Sequence, residues 1–448
     1  MAEKITLKRG LDISISGAAL GTVVDVAWGG EYAVVPDHYE GLKPKLSVRE
    51  GDAVRAGDPL FHDKQCEALN VVSPVSGTVS AVVRGDRRKI LSINIKADDA
   101  IAYKEFDTTG DVKALLLESG LWSLLRQRPY DVIANPNSVI RDVFVSAFDS
   151  APLAPDYNFI LRDQVKELQA GIDALNKLTG KKLHLSLSAR HEQNTFGELR
   201  NVELHTFDGP HPAGNVGVQI NHVAPVNKGE TVVVLNVQDL AVIGRLMLTG
   251  KVDMRRMVAL TGPEVTEAKY LNYVQGAIIE PAVIGNVSDD KPLRYIAGNV
   301  LSGQQMQVNE PLSPFANQIT VIDDGGETHE ILGWAMPRLH KFSATRLFGA
   351  GLLGALKKDF RFDWDARLLG GRRAIIMSGE YDRMLPMDIY AEYLIKAMIA
   401  GNIDKMEALG AYEVAPEDFA LAEFACTSKM PLQAIVRQAL DNMRKELE

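Results

Sequence analysis

Val48-Arg49-Glu50-Gly51-Asp52-Ala53-Val54-Arg55-Ala56-Gly57-Asp58-Pro59-Leu60 and Ser73-Pro74-Val75-Ser76-Gly77-Thr78-Val79 are the two stretches on which the reading of this chain turns. Both belong to a first hundred residues rich in Val, Gly, Pro and Asp, with short alternating runs such as Gly77–Val83 and Lys89–Ile95. Alternation at a period of two, broken by turn residues, predicts many short strands in an all-β module. The charged run Arg84-Gly85-Asp86-Arg87-Arg88-Lys89 marks a hairpin tip, and its basic residues suit a solvated turn better than a binding patch.

The two stretches resemble the paired halves of a biotin- or lipoyl-carrier hammerhead. Carriers of that kind hold the modified lysine on a tight hairpin between the halves, within a Glu-Ala-Met-Lys tetrapeptide. The matching tetrapeptide here is Glu67-Ala68-Leu69-Asn70, and an amide cannot be acylated. The nearest lysine, Lys64, sits several residues early. The resemblance therefore implies a carrier fold that has lost its carrier lysine.

Beyond residue 110 the period changes. Val112–Gly120 reads as a helix stopped by glycine. Val165, Leu168, Ile172, Leu175 and Leu178 recur at spacings of three and four, one apolar helix face ending at Gly180. Strand-like runs at 143–148, 182–188, 202–207, 231–237 and 257–261 alternate with helices, including Asp239–Leu248. That alternation predicts an open, mostly parallel α/β sheet over about 130–265. Residues 266–340 return to short strands, among them Gln318–Ile322 and Glu330–Trp334. Met387–Ile399, Asp404–Leu409 and Leu432–Leu447 read as helices.

At 448 residues the chain has room for about three domains. A net charge of −9 without a long basic block argues against a nucleic-acid partner. Two cysteines, Cys66 and Cys426, exclude a disulfide framework and any iron–sulfur motif that needs four thiolates. The amino terminus lacks the apolar core of a secretory signal, and no apolar run reaches the roughly 18–20 residues of a membrane span. The nine histidines show no metal-ligand spacing along the sequence.

Gly349-Ala350-Gly351-Leu352-Leu353-Gly354 is a literal dinucleotide fingerprint. It works only between a buried strand and a helix amino terminus. Lys341–Phe348 does not read as such a strand, so a flexible or close-packed segment fits better. A soluble NAD(P)-dependent oxidoreductase using this loop stands as the alternative function. The strongest candidate site is Phe207-Asp208-Gly209-Pro210-His211-Pro212-Ala213-Gly214-Asn215-Val216-Gly217, directly after a strand, where open sheets bind ligands. Asp208 and His211 supply an ionisable pair, although the same residues suit a structural turn in which Asp208 caps amides and His211 packs. A second region, Gly120–Tyr130, sets Arg126 and Arg128 beside Trp122 and Tyr130. It suits either an anion or quinone grip or an anchor at a domain junction.

Ile5–Asp12, both hammerhead halves, Gly120-Leu121-Trp122, Arg128-Pro129, Phe207–Gly214, Leu301-Ser302-Gly303, Gly333–Pro337 and Leu385–Asp388 together resemble the NqrA family, one of the component chains of sodium-translocating NADH:quinone oxidoreductases. That family is related to RnfC and to the flavin subunit of complex I. The resemblance implies a multidomain α/β protein in four parts. These are a barrel-sandwich β module (1–105), a Rossmann-like α/β domain lacking the FMN loop (106–265), an SLBB-type β-grasp domain (266–345) and a helical carboxyl-terminal region (346–448), the remnant of an iron–sulfur domain. Where the relatives' flavin loop would follow Gly120, Leu121-Trp122-Ser123-Leu124-Leu125-Arg126 is too bulky for amides to approach a phosphate closely. Cys426 is left alone where relatives hold a cluster.

The implied role is a peripheral subunit at the cytoplasmic face of the bacterial inner membrane, docked on the integral membrane component NqrB and its neighbours. The complex would pass electrons from NADH to a quinone and export Na⁺. No cofactor is expected in this chain, with NADH, FAD, FMN and the iron centres in partner subunits. A quinone or partner contact is expected here, with Trp122, Arg126, Arg128, Tyr130, Asp208 and His211 as candidate residues. A quinone needs only an apolar slot and one or two donors at its carbonyls.

Overall fold

The computed structural model describes residues 3–191, 195–326, 341–344, 360–376 and 379–448. The Gly349–Gly354 fingerprint, Gly333–Pro337 and the Glu330–Trp334 run lie outside the described residues.

The amino-terminal β module is a sandwich of two sheets. One orders its strands Glu31–Val34, Ile90–Ala97, Gly77–Arg84, Ala53–Val54, and the other Pro44–Leu46, Pro59–Asp63, Cys66–Val72. Leu60, Phe61, Val71, Val75, Val79, Ile93 and Ile95 fill the space between them. Leu60 and Phe61 leave the same strand yet are both fully buried.

Here the carrier reading needs correction. The hairpin joining Pro59–Asp63 to Cys66–Val72 turns at Lys64-Gln65, with Asp63 paired to Cys66. Glu67–Asn70 lies in the second strand, not at the tip. Leu69 is buried, and the Asn70 amide reaches the Leu117 carbonyl of the next domain. The two-residue turn decides this, because the apolar faces of Leu69 and Val71 fix the register around it.

The α/β domain is built on a seven-stranded sheet in the order Glu3–Thr6, Val202–Asp208, Leu183–Ser188, Ile140–Ser146, Thr231–Asn236, Arg126–Arg128, Val132–Ile133. The first five are parallel, and the last two form an antiparallel hairpin closing one edge. Helices Val165–Thr179 and Val237–Thr249 cover one face and pack unusually close. Cβ atoms on Gly171 and Gly244 would run into the Leu240 and Glu167 carbonyls of the facing helix. The first of these helices stops at Gly180 with φ +71, as its glycine predicts.

A third sheet of six strands runs Gln304–Met306, Leu293–Ala297, Gln318–Asp323, Arg255–Thr261, Lys269–Val274, Val23–Asp25. Two expectations shift with it. Met257–Thr261 does not extend the parallel α/β sheet, because the edge beside Thr231–Asn236 is already taken by the 126–133 hairpin. The first 25 residues do not build the β module either: Glu3–Thr6 pairs with Val202–Asp208, and Val23–Asp25 with Lys269–Val274.

The carboxyl-terminal helices Glu380–Met384, Ala391–Ile399, Ile403–Ala408, Ala420–Ala425 and Leu432–Leu447 share a core with Leu7, Tyr130, Val132, Phe148, Phe207 and Val218 of the α/β domain. The helix expected from Met387 begins only at Ala391. Its N-cap Tyr390 is non-helical at φ −87, ψ 80, and Pro386 holds Leu385 extended at φ −115, ψ 102, which ends the preceding helix.

Candidate functional site

The chain leaves Ile140–Ser146 for Leu183–Ser188 and Val202–Asp208 on one side. It then crosses back to Thr231–Asn236 on the other. Connections therefore part above the carboxyl ends of Ile140–Ser146 and Thr231–Asn236, the place where an open sheet leaves a crevice. A cavity of about 690 Å³ lies there. Ser146 lines it from the end of the first strand with Phe148 and Asp149 just beyond, Asn236 from the end of the second with Asp239 in the helix that follows, and His211, Gly214 and Asn215 from the loop ahead of helix Val216–Val223. The carboxyl-terminal region closes it with Glu417 and Arg437, and the six-stranded sheet's domain contributes Phe315 and Asn317. Three parts of the molecule thus meet in one space, of the size that holds a small organic ligand.

Of the six residues singled out in the sequence, the cavity gathers two. Arg126 comes up from the edge hairpin. Its guanidinium meets Asp131 at 2.5 Å and lies 5.4 Å from the Phe315 ring centre, leaving a cation beside an aromatic face. Burial pushes the Asp131 carboxyl up, but Arg126, Arg128 and Arg437 together hold it below the usual carboxylate range. His211 is buried, with Nδ1 3.0 Å from the Ser150 hydroxyl. That hydroxyl also accepts from the Gly214 amide at 2.7 Å, which ties the imidazole to the start of the loop ahead of helix Val216–Val223. Burial drops the His211 imidazole to about 4 against the pull of Asp12, so it is neutral at pH 7.

The other four lie elsewhere. Trp122 is core: only 1% exposed, it donates its indole N–H to the Ala134 carbonyl at 2.7 Å. Leu121, Leu124 and Leu125 are buried around it, so the turn after Gly120 is packed with side chains. Arg128 is fully buried beneath the cavity, 3.0 Å from Glu417 and 3.4 Å from Asp418. Tyr130 is buried against the carboxyl-terminal helices, and its carbonyl accepts from Arg437. The expected Asp208–His211 pair does not form. Asp208 faces Lys4 at 3.0 Å and Arg190 at 3.6 Å, whereas the carboxylate near His211 is Asp12, which accepts from its backbone N–H at 2.8 Å. The glycine-proline turn after Asp208 separates the two side chains.

Sequence reasoning missed Glu417, Asp418, Asp149 and Arg437. Burial raises the Glu417 carboxyl to about 7, with Arg128 opposing and Asp418 adding to the rise. Its side chain keeps 39% of its surface open, toward the cavity, so water tempers that shift. Asp418 is raised too, chiefly by burial. Gly217, in the first turn of helix Val216–Val223, leaves room where a Cβ would strike the Asp418 carboxylate, which sits by the positive end of that helix. A buried arginine such as Arg128 demands an acidic partner. Nothing local says that the partner stands 289 residues away.

The fold and site define a class first. A β sandwich of two sheets joins an α/β domain with a filled glycine turn and an open switch-point crevice, the frame of a multidomain component with one ligand-sized opening. Family models then cover most of the chain. The NqrA N-terminal barrel-sandwich hybrid domain matches residues 5–98, the NqrA second alpha/beta domain 108–252, and the NQRA C-terminal domain of SLBB type 257–308. The chain is 35% identical to the NqrA component of the Na(+)-translocating NADH-quinone reductase of Haemophilus influenzae, over 99% of this chain and 100% of that protein. It is 34% identical to the component of the same name from Neisseria meningitidis, at the same coverage. This chain belongs to the NqrA family.

Proposed function

We propose that this chain is the NqrA component of a sodium-translocating NADH:quinone reductase and that its switch-point cavity contacts the quinone. The full-length kinship with proteins of that name carries the first part. The convergence of Arg126, neutral His211 and Glu417 on one cavity carries the second. Partner subunits, including the integral membrane component NqrB, hold NADH, FAD, FMN and the iron centres, and this chain docks at the cytoplasmic face of the membrane. Among the described residues no helix is long and apolar enough to cross a membrane.

The chemistry fits the residues present. Phe148 and Phe315 offer apolar walls, the Arg126 guanidinium offers a donor at a carbonyl oxygen, and the neutral His211 imidazole lines the same space. Reduction of a quinone to its quinol takes two electrons, supplied by neighbouring subunits, and two protons. A Glu417 carboxyl poised near neutrality can give the first proton, regain one from water through its open side and give that as the second. The soluble NAD(P)-dependent alternative rests only on Gly349–Gly354 and gains nothing from the full-length match.

Solubilising membranes that carry a tagged chain tests the assembly. The integral subunits should co-purify at one copy each, and a chain recovered alone under conditions that keep the complex active would overturn it. Stoichiometric flavin or iron in the isolated chain would overturn the placement of cofactors in the partners.

A further inference from the structure

The same sheet carries a second constellation at its opposite end. His184 lies near the start of Leu183–Ser188, and Glu203 and His205 lie in the first half of Val202–Asp208. In the parallel register His184 stands beside Glu203 and Ser186 beside His205. The three side chains therefore share one face, two residues apart on one strand and adjacent across the pair. His184 Nδ1 is 2.9 Å from His205 Nε2 and 3.4 Å from the Glu203 carboxylate, and one ligand atom from each residue lies within 4.8 Å of the others.

We propose that His184, His205 and Glu203 form a binding site for one divalent transition-metal ion of the zinc class. Two imidazole nitrogens with one carboxylate oxygen make the donor set that zinc and its neighbours prefer, whereas calcium and magnesium take oxygen alone. The spacing suits it: ligand atoms around a tetrahedral zinc stand roughly 3.3 Å apart, as follows from zinc–nitrogen bonds of about 2.0–2.1 Å. Closing on a metal asks the two rings to part by only a few tenths of an ångström. His184 is already fixed, stacked on Phe144 with ring centres 4.4 Å apart and planes 13° from parallel. On its far side, Nε2 faces the Asp142 carboxylate at 4.0 Å, a distance at which it draws the ring electrostatically without a hydrogen bond. Glu203 keeps 53% of its side chain exposed, leaving a fourth position to water.

Sequence spacing hides this site, because 21 residues separate the two histidines and only the cross-strand register unites them. The site stands apart from the cavity and does not depend on the quinone reading.

Chelator-stripped full-length chain, titrated with Co²⁺ and then with Zn²⁺, tests it. One Co²⁺ per chain should give the intense visible absorption of a four-coordinate site, and one Zn²⁺ should displace it. His205→Ala should weaken Zn²⁺ binding at least about tenfold. Glu203→Gln, at a half-exposed position that folding does not depend on, should also weaken it, and Glu203→His should tighten it by adding a third imidazole. Zn²⁺ should raise the unfolding temperature of the native chain and not that of His205→Ala. Equal Zn²⁺ affinity in the native chain and both weakening variants, or no stoichiometric binding by the native chain, would overturn the site and leave a hydrogen-bonded imidazole pair.

Discussion

Leu121–Leu125 and Arg126–Asp131 are neighbours in sequence, yet one is buried throughout and the other borders the switch-point cavity. The first segment turns three leucines and Trp122 inward, and the space behind Gly120 is closed by Val72 of the β module. The second runs along a strand held between Thr231–Asn236 and Val132–Ile133. Gln127 points back to the Asn135 amide, while Arg126 and Asp131 meet beside the cavity. Apolar side chains release water by packing and leave no room. Charged ones must keep either a partner or a water-filled space. The contrast shows how adjacent segments of one chain can fill one space completely and leave another open.

The largest expected effect breaks the boundary between the two regions. Arg128→Met should cost about 3–5 kcal/mol, because Asp418 would stay buried without its cation. Denaturant titration checks this, and a loss below about 1 kcal/mol would mean that the carboxyls simply protonate and the pair holds nothing together. Trp122→Ala should cost about 3–5 kcal/mol through the cavity it leaves, with the quinone KM of the assembled complex unchanged. A raised KM would move Trp122 into the site.

His211→Ala and Arg126→Ala should each lower quinone reduction by the complex about tenfold, the worth of one hydrogen bond near 1.4 kcal/mol, while the subunits still co-purify. Unchanged kinetics in both would leave the cavity without a quinone role.

Glu417→Gln should act through pH. Because the folded carboxyl is raised above its ordinary value, the native state binds the extra proton, and stability falls as pH rises from about 4.5 to about 7. The variant should lack that fall, by on the order of 1 kcal/mol once screening at a side chain 39% exposed is allowed for. Parallel stability-versus-pH curves would show that Glu417 titrates normally. The smallest effect is expected at the old carrier hairpin. Asn70→Lys should gain no biotin or lipoyl group by mass spectrometry, because position 70 lies within the Cys66–Val72 strand and its side chain reaches the Leu117 carbonyl.

Much of this is legible in the residues. Leu168, Ile172 and Leu175 announce a buried helix face, Gly180 its end, and Leu432–Leu447 a full helix, because those features depend on neighbours three or four residues away. The loop at Phe207–Gly217 points to the right end of the right sheet, yet the pairing of Asp208 with His211 fails. Side-chain direction around Gly209 and Pro210 is set by the Ile5–Asp12 segment, whose Gly10 leaves room for the His211 carbonyl. Helix Val216–Val223 is hidden in the sequence because glycines crowd its start.

By itself the sequence determined the change from short strands to an alternating α/β stretch, the bulk that fills the turn after Gly120 and the family, since each is written in local composition or in motifs spread along the chain. Only the tertiary structure decided that Asn70 lies within a strand and not at the hairpin tip, and that Arg128 is sealed against Glu417 and Asp418 while Arg126 stays open to the cavity. It alone also set His184 beside Glu203 and His205. The reason is physical: each of these turns on which strands share a register and which distant charges meet in the same low-dielectric space, and neither is a property of residues close in sequence.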